Sequence, residues 1–166
     1  MNEFTEPIRI LRNENYFKNY IKSKDMQNLA NEKLAKNDIL ILPNKYIDEY
    51  YFAQETIDFV KFCRNNIQER VDILNEGDIE VRSLHSFDCW MPIFYIATQV
   101  LFPILINVIS NYISEKIKGC EHEKANVHLK MIVKNKEKEV QINYDGDAKS
   151  FKKFVKEIDL DNLQND

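Results

Sequence analysis

The sequence predicts an α/β fold, with α+β as the alternative: a layered sheet with mostly parallel N-terminal strands, a central apolar helix, and a C-terminal β-hairpin plus helix. Three observations predict it. "DILILP" (residues 38–43) is a short continuous apolar run ended by proline, the pattern of a strand covered on both faces. In the segment 46–74, Phe52, Thr56, Phe59, Val60 and Cys63 recur at threes and fours, which predicts an amphipathic helix over about 48–70. "NVHLKMIVK" alternates Val127, Leu129, Met131 and Val133 against His128, Lys130 and Lys134, and after the turn "NKEK" the segment "EVQINY" returns with Val140, Ile142 and Tyr144. That alternation is a β-hairpin with one apolar and one polar face.

The remaining elements fall between these. Residues 7–11, "PIRIL", read as a short first strand. Residues 15–36 carry Tyr16, Phe17, Tyr20, Ile21, Leu29 and Leu34 at partly helical spacing, with a break near Ser23–Asp25. Gly77 supplies a turn, and Ile79, Val81 and Leu84 give one face of a strand. Gly119 after Lys116 and Lys118 is a helix stop. After the hairpin, Phe151, Phe154, Val155 and Ile158 mark a closing helix.

At 166 residues the chain is expected to make one α/β domain, 1–166, with residues 126–160 as a candidate hairpin–helix sub-lobe. A 44% hydrophobic, 30% charged composition is globular, and the net charge of −4 lacks the broad basic footprint of a nucleic-acid binder. The three cysteines, Cys63, Cys89 and Cys120, form no Cys-x-x-Cys pair and no even framework. With an N-terminus, "MNEFTEPIRI", that has no apolar signal region, this points to the reducing cytoplasm. The three glycines, Gly77, Gly119 and Gly146, are scattered, so the clustered glycines of phosphate loops and dinucleotide fingerprints are absent and no cofactor is implied.

No charged residue occurs between Asp88 and Glu115. The segment 90–114 is long enough for a membrane-spanning helix, and membrane association through it is one alternative. Against a span stand Pro103 in its interior, a stripe formed by Pro92, Gln99, Pro103, Asn107, Ser110 and Ser114, and cations placed mainly after it (Lys116, Lys118, Lys124 and Lys130). A buried helix over 90–114 is the favoured expectation. Pro92 would sit in its first turn, and Pro103 would kink it and free the Gln99 carbonyl. One side would pack on the sheet and the other on a protein partner or a second copy, with Trp90, Phe94, Gln99, Phe102, Pro103 and Asn107 as candidate contacts. The competing expectation is that the helix over 48–70 covers that side.

Four clusters are candidates for chemistry. The loop 82–89, "RSLHSFDC", offers His85 as a base, Asp88 as its orienter and Cys89 or Ser86 as a nucleophile; the bland alternative is helix capping by Asp88 or Ser86 and a buried Cys89. Cys120, His122 and His128 are zinc-ligand types, although their spacing matches no standard site and leaves only three good ligands. Asp48, Glu49, Glu55 and Asp58 offer paired carboxylates that amphipathicity places on a wet helix face. Lys149, Lys152, Lys153 and Lys156 interleave with Phe151 and Phe154, where periodicity makes the phenylalanines core and the lysines surface.

An apolar helix ending "NYISEKIK", the hairpin "VHLKMIVKNKEKEVQINYDGD" and a short final helix together resemble the small effector-associated domains of bacterial conflict and anti-phage systems. The likeness spans residues 78–158. It implies a non-catalytic adaptor coupled to an effector, and it carries over no active-site residue. The expected function is thus a cytoplasmic, non-enzymatic interaction module. A small-ligand-binding or hydrolytic domain using loop 82–89 is the alternative.

Overall fold

The computed structural model describes residues 8–13, 16–21, 24–35, 39–46, 49–68, 71–75, 79–82, 88–118, 125–135, 138–156 and 158. Its elements are β1 (Ile8–Asn13), α1 (Lys24–Leu34), β2 (Ile39–Leu42), β3 (Asn44–Tyr46), β4 (Glu49–Tyr51), α2 (Thr56–Asn66), β5 (Val71–Ile73), β6 (Cys89–Ile96), α3 (Phe102–Lys116), β7 (Asn126–Asn135), β8 (Lys138–Asp147) and α4 (Phe151–Lys156). Short 3-10 turns occupy Phe17–Tyr20 and Gln99–Leu101.

The α/β class is present as a six-stranded sheet ordered β1-β8-β7-β6-β2-β5, with β3 and β4 forming a separate two-stranded ribbon. The sheet is mixed rather than mostly parallel. β2–β5 and β6–β7 are parallel, whereas β1–β8, β7–β8 and β2–β6 are antiparallel. The reversal follows from the route after β5. Val81 bridges Phe52, and the chain then enters β6 at the end where β2 finishes. The hairpin β7–β8 lies inside the sheet, because β1 pairs along the outer side of β8.

Both faces of the sheet are covered, and the side-chain period of two assigns residues to each. Ile39, Ile41, Phe94, Ile96, Val127, Leu129, Met131 and Ile142 pack with α2, α3 and α4 residues. On the opposite face Leu40, Leu42, Ile93, Tyr95 and Ile132 meet Phe17, Met26 and Ala30. Every residue of β2 is therefore buried, as its unbroken apolar run requires. Burying such side chains contributes about 1.5–3 kcal/mol each. Phe17 stacks on Tyr95 with ring centroids 4.2 Å apart.

The expected helix over 90–114 divides into a strand and a helix. β6 takes Cys89–Ile96, and α3 begins only at Phe102. Because β6 is buried on both faces it lacks strand-like alternation, and hydropathy alone cannot separate it from helix. Pro92 sits where the β6–β7 register shifts between Trp90 and Ile93, a bulge that tolerates a residue without an N–H. Pro103 lies in the first turn of α3, so it kinks nothing. Among the described residues no helix is long and apolar enough to cross a membrane.

The helix expected over 48–70 is shorter, because β4 precedes it and β5 follows it. Of the strand expected at Ile79 to Leu84, Val81 makes only an isolated bridge, and Leu84 lies outside the described residues. The break expected near Ser23–Asp25 falls between the turn at Phe17–Tyr20 and the start of α1.

Candidate functional site

The site is the polar face of the hairpin, at the end of the sheet where β6 and β7 begin and β8 finishes. Register builds it in two rows. Trp90, His128 and Asp145 stand side by side across β6, β7 and β8. Ile93, Lys130, Asn143 and Arg9 form the next row across β6, β7, β8 and β1. Trp90 and Ile93 are three positions apart, so a regular strand would send them to opposite faces. The bulge at Pro92 absorbs the odd residue, pairing Trp90 with His128 and Ile93 with Lys130.

His128 is held on three sides. Its Nδ1 lies 2.8 Å from Asp145 Oδ1 and its Nε2 lies 3.0 Å from Asp88 Oδ2. Its ring stacks on Trp90, with centroids 3.9 Å apart and planes 18° from parallel. Both ring nitrogens face carboxylate oxygens, and only the imidazolium can donate to both. Asp88 Oδ1 also accepts the Asn126 N–H at 3.1 Å. The His128 hydrogen bond, aided by the Asn126 N–H, holds the Asp88 carboxyl below the usual range, while burial opposes the shift.

A depressed carboxyl contributes stability above its unfolded value, about pH 4, and loses it as pH falls through the lower folded value. The urea-midpoint difference between the wild-type protein and Asp88→Asn should therefore be full at neutral pH and shrink below about pH 4. A difference that stays constant down to about pH 2.5 would remove ionised Asp88 as its source.

These rows floor a pocket of about 240 Å³, whose lining includes Arg9, Tyr51, Arg82, Trp90, Lys130 and Asn143. The Arg82 guanidinium lies 4.6 Å from the Tyr51 ring centroid and pairs with Glu49. Backbone bonds hold that wall: the Phe52 N–H donates to Glu80 O at 2.8 Å and the Arg82 N–H to Phe52 O at 3.1 Å. Gln141 Nε2 donates to Asn143 Oδ1 at 3.2 Å, leaving the Asn143 amide as a donor. The Lys130 ammonium sits 5.8 Å from the Tyr20 ring.

The sequence candidates scatter. Asp88 and His128, expected in two unrelated clusters, are brought together; His85, Ser86, Cys120 and His122 lie outside the described residues. Asp88 caps no helix, because a strand follows it. Cys89 is buried on the opposite face, where burial pushes its thiol up to about 11, and Cys63 is raised to about 12 in the same way. Neither supplies a thiolate nucleophile at neutral pH. Among the described residues no group of three His, Cys, Asp or Glu could hold a metal ion.

Of the candidate contacts, Trp90 lines the pocket, Phe94 and Phe102 are core, Gln99 is half-buried in a 3-10 turn, and Pro103 and Asn107 are exposed on α3. Ser110, a member of the stripe, is buried, and its hydroxyl donates to Ile106 O at 2.8 Å. Glu55 is buried rather than wet. It accepts the Tyr112 O–H at 2.9 Å, and Lys116 Nζ lies 3.1 Å away, tying the start of α2 to the end of α3. On α4, Phe151 is buried and Lys152 and Lys153 are exposed, as the periodicity indicates.

Sequence reasoning missed Arg9, Asn143 and Asp145. The available signal was the polar side of the hairpin, His128 and Lys130 facing Asn143 and Asp145, which an unassembled hairpin would simply offer to water. Comparison with family models, curated proteins and solved structures returned no match.

Proposed function

We propose that this protein is a non-catalytic binding module that takes a small oxyanion-bearing ligand in the pocket on the polar face of its hairpin. The observation that carries the reading is the indole Nε1–H of Trp90. It is buried, belongs to a pocket-lining residue, and has no acceptor among the described residues. A buried unpaired donor costs about 1–3 kcal/mol and calls for an acceptor that a ligand can supply. The other unspent groups are donors too. Arg9 and Lys130 make no ion pair among the described residues. Three cations and one carboxylate, Asp145, line the pocket.

Two features favour binding over hydrolysis. The Cys89 thiol is buried on the far face of the sheet, and both nitrogens of His128 are engaged by carboxylates. We favour the pocket over protein contacts at α3 because α2 and α4 pack against that helix, and its exposed side mixes Pro103 and Ile104 with polar Asn107 and Ser114. In this reading the likeness to effector-associated domains gives the module a place: a cytoplasmic sensor that reports an anionic ligand to an effector. The buried free thiols of Cys63 and Cys89 suit a reducing compartment.

Trp90 is the chain's only tryptophan, so intrinsic fluorescence reads the pocket directly. Sulfate titrated at constant ionic strength against chloride should change the emission saturably, with an apparent Kd of about 1 mM. A strictly linear response equal to that of chloride would sink the proposal.

A further inference from the structure

We propose that anion binding in this pocket is coupled to a proton on His128: the pocket takes its ligand with the ring as imidazolium, and affinity falls as the ring gives up that proton. The inference rests on the anion-binding reading above and adds its regulation.

The groups facing His128 set the sign. Asp88 comes from the residue just before β6, the uncharged Trp90 ring from β6 itself, and Asp145 from β8. Lys130 stands two positions along on the same face of β7, and Arg9 and Arg82 line the pocket beyond. The two carboxylates touch the ring, one at each nitrogen. A bound anion that screens the three cations lowers their repulsion of a protonated ring.

Removing the proton changes the pocket twice. The positive charge goes, and one ring nitrogen then presents a lone pair to a carboxylate oxygen. Asp88 keeps its second bond, from the Asn126 N–H. The Asp145 side chain is 63% exposed and is the carboxylate that lines the pocket, so it is the partner released. A freed carboxylate then stands where an anionic ligand would bind. One proton thereby acts as a charge switch at the site.

Sulfate is the suitable probe because it stays a dianion throughout this range. Followed by Trp90 fluorescence at constant ionic strength, its apparent Kd should rise about tenfold between pH 5.5 and 8.5, within the span typical of coupled sites. In His128→Gln the affinity should be weak and independent of pH. In Asp145→Asn the rise should be smaller, because no carboxylate is released. Linkage is reciprocal, so saturating sulfate should raise the pH at which the His128 ring signal titrates in the wild-type NMR spectrum.

Sulfate binding that is flat with pH in the wild-type protein, or equally steep in His128→Gln, overturns the coupling and leaves the anion pocket standing. Absence of any sulfate response at every pH overturns the pocket and the coupling with it. Should His128→Gln fail to fold, the wild-type NMR titration decides: a ring midpoint unmoved by saturating sulfate overturns the proposal.

Discussion

Phe94→Ala should lower the stability of the folded protein by about 3–5 kcal/mol, the range for truncating a buried phenylalanine. Phe94 lies in the middle of β6, between Ile41 of β2 and Met131 of β7, and it is 0% exposed. Its ring meets Phe59 of α2 edge-on at 5.1 Å, so truncation opens a cavity between the sheet and that helix. Neighbouring side chains on a sheet cannot collapse into such a space without moving strands, which keeps the cost at the upper part of the range. Asn107→Ala, on the exposed side of α3, should change stability by no more than about 0.5 kcal/mol. Urea denaturation of the two variants checks both values. Equal, small effects would contradict the division of the apolar stretch into β6 and α3, because a continuous helix would place both residues among surface contacts.

Removing the pocket cations should weaken sulfate binding by about 10- to 100-fold for each. A hydrogen bond to a charged group contributes about 1.5–3 kcal/mol, and 1.4 kcal/mol is a factor of ten in affinity. Lys130→Met is the suitable change on β7, because it keeps an apolar stem beside Tyr20 while deleting the ammonium. Arg9→Ala is the suitable change on β1, where the side chain is exposed and pairs across from Asn143. Lys152→Met removes an exposed cation from α4 and serves as the control. A loss in Lys152→Met matching that in Lys130→Met would mean that sulfate responds to net charge and not to the pocket.

The fold was legible in the sequence where periodicity is local. β2 announced itself by an unbroken apolar run, and β7, β8 and α4 by clean alternation or helical spacing. The segment 90–114 misled for a physical reason: β6 is buried on both faces, so its composition is that of a buried helix, and Pro92 reads as a helix start unless the bulge is known. β5 is three residues with Asp72 at its centre, too short and too polar to show a pattern. Asp72 is matched in space by Lys33 of α1, at 2.6 Å, a contact that no local window contains.

The site was legible only in fragments. The loop 82–89 supplied Asp88, and the hairpin supplied His128, but each was read with its sequence neighbours. Their contact spans 40 positions and depends on β6 and β7 pairing in parallel, which is a property of topology. Arg9 joins through the β1–β8 register, which brings the two ends of the chain together. Polar residues on one side of a hairpin look the same whether they face bulk water or floor a pocket. What distinguishes them here is the wall carrying Tyr51 and Arg82, and that wall is built from segments without a strong sequence signature.

The central claim is that the pocket's unspent donors await an oxyanion, and Trp90 tests it with a single signal. As the chain's only tryptophan it gives one indole N–H resonance in a ¹⁵N–¹H spectrum. Titration with sulfate at constant ionic strength should move that resonance downfield saturably, as the buried N–H gains an acceptor, with Lys130→Met weakening the same curve. An indole resonance that stays in place while sulfate is raised well beyond about 10 mM, tenfold above the expected Kd, would contradict anion binding in this pocket.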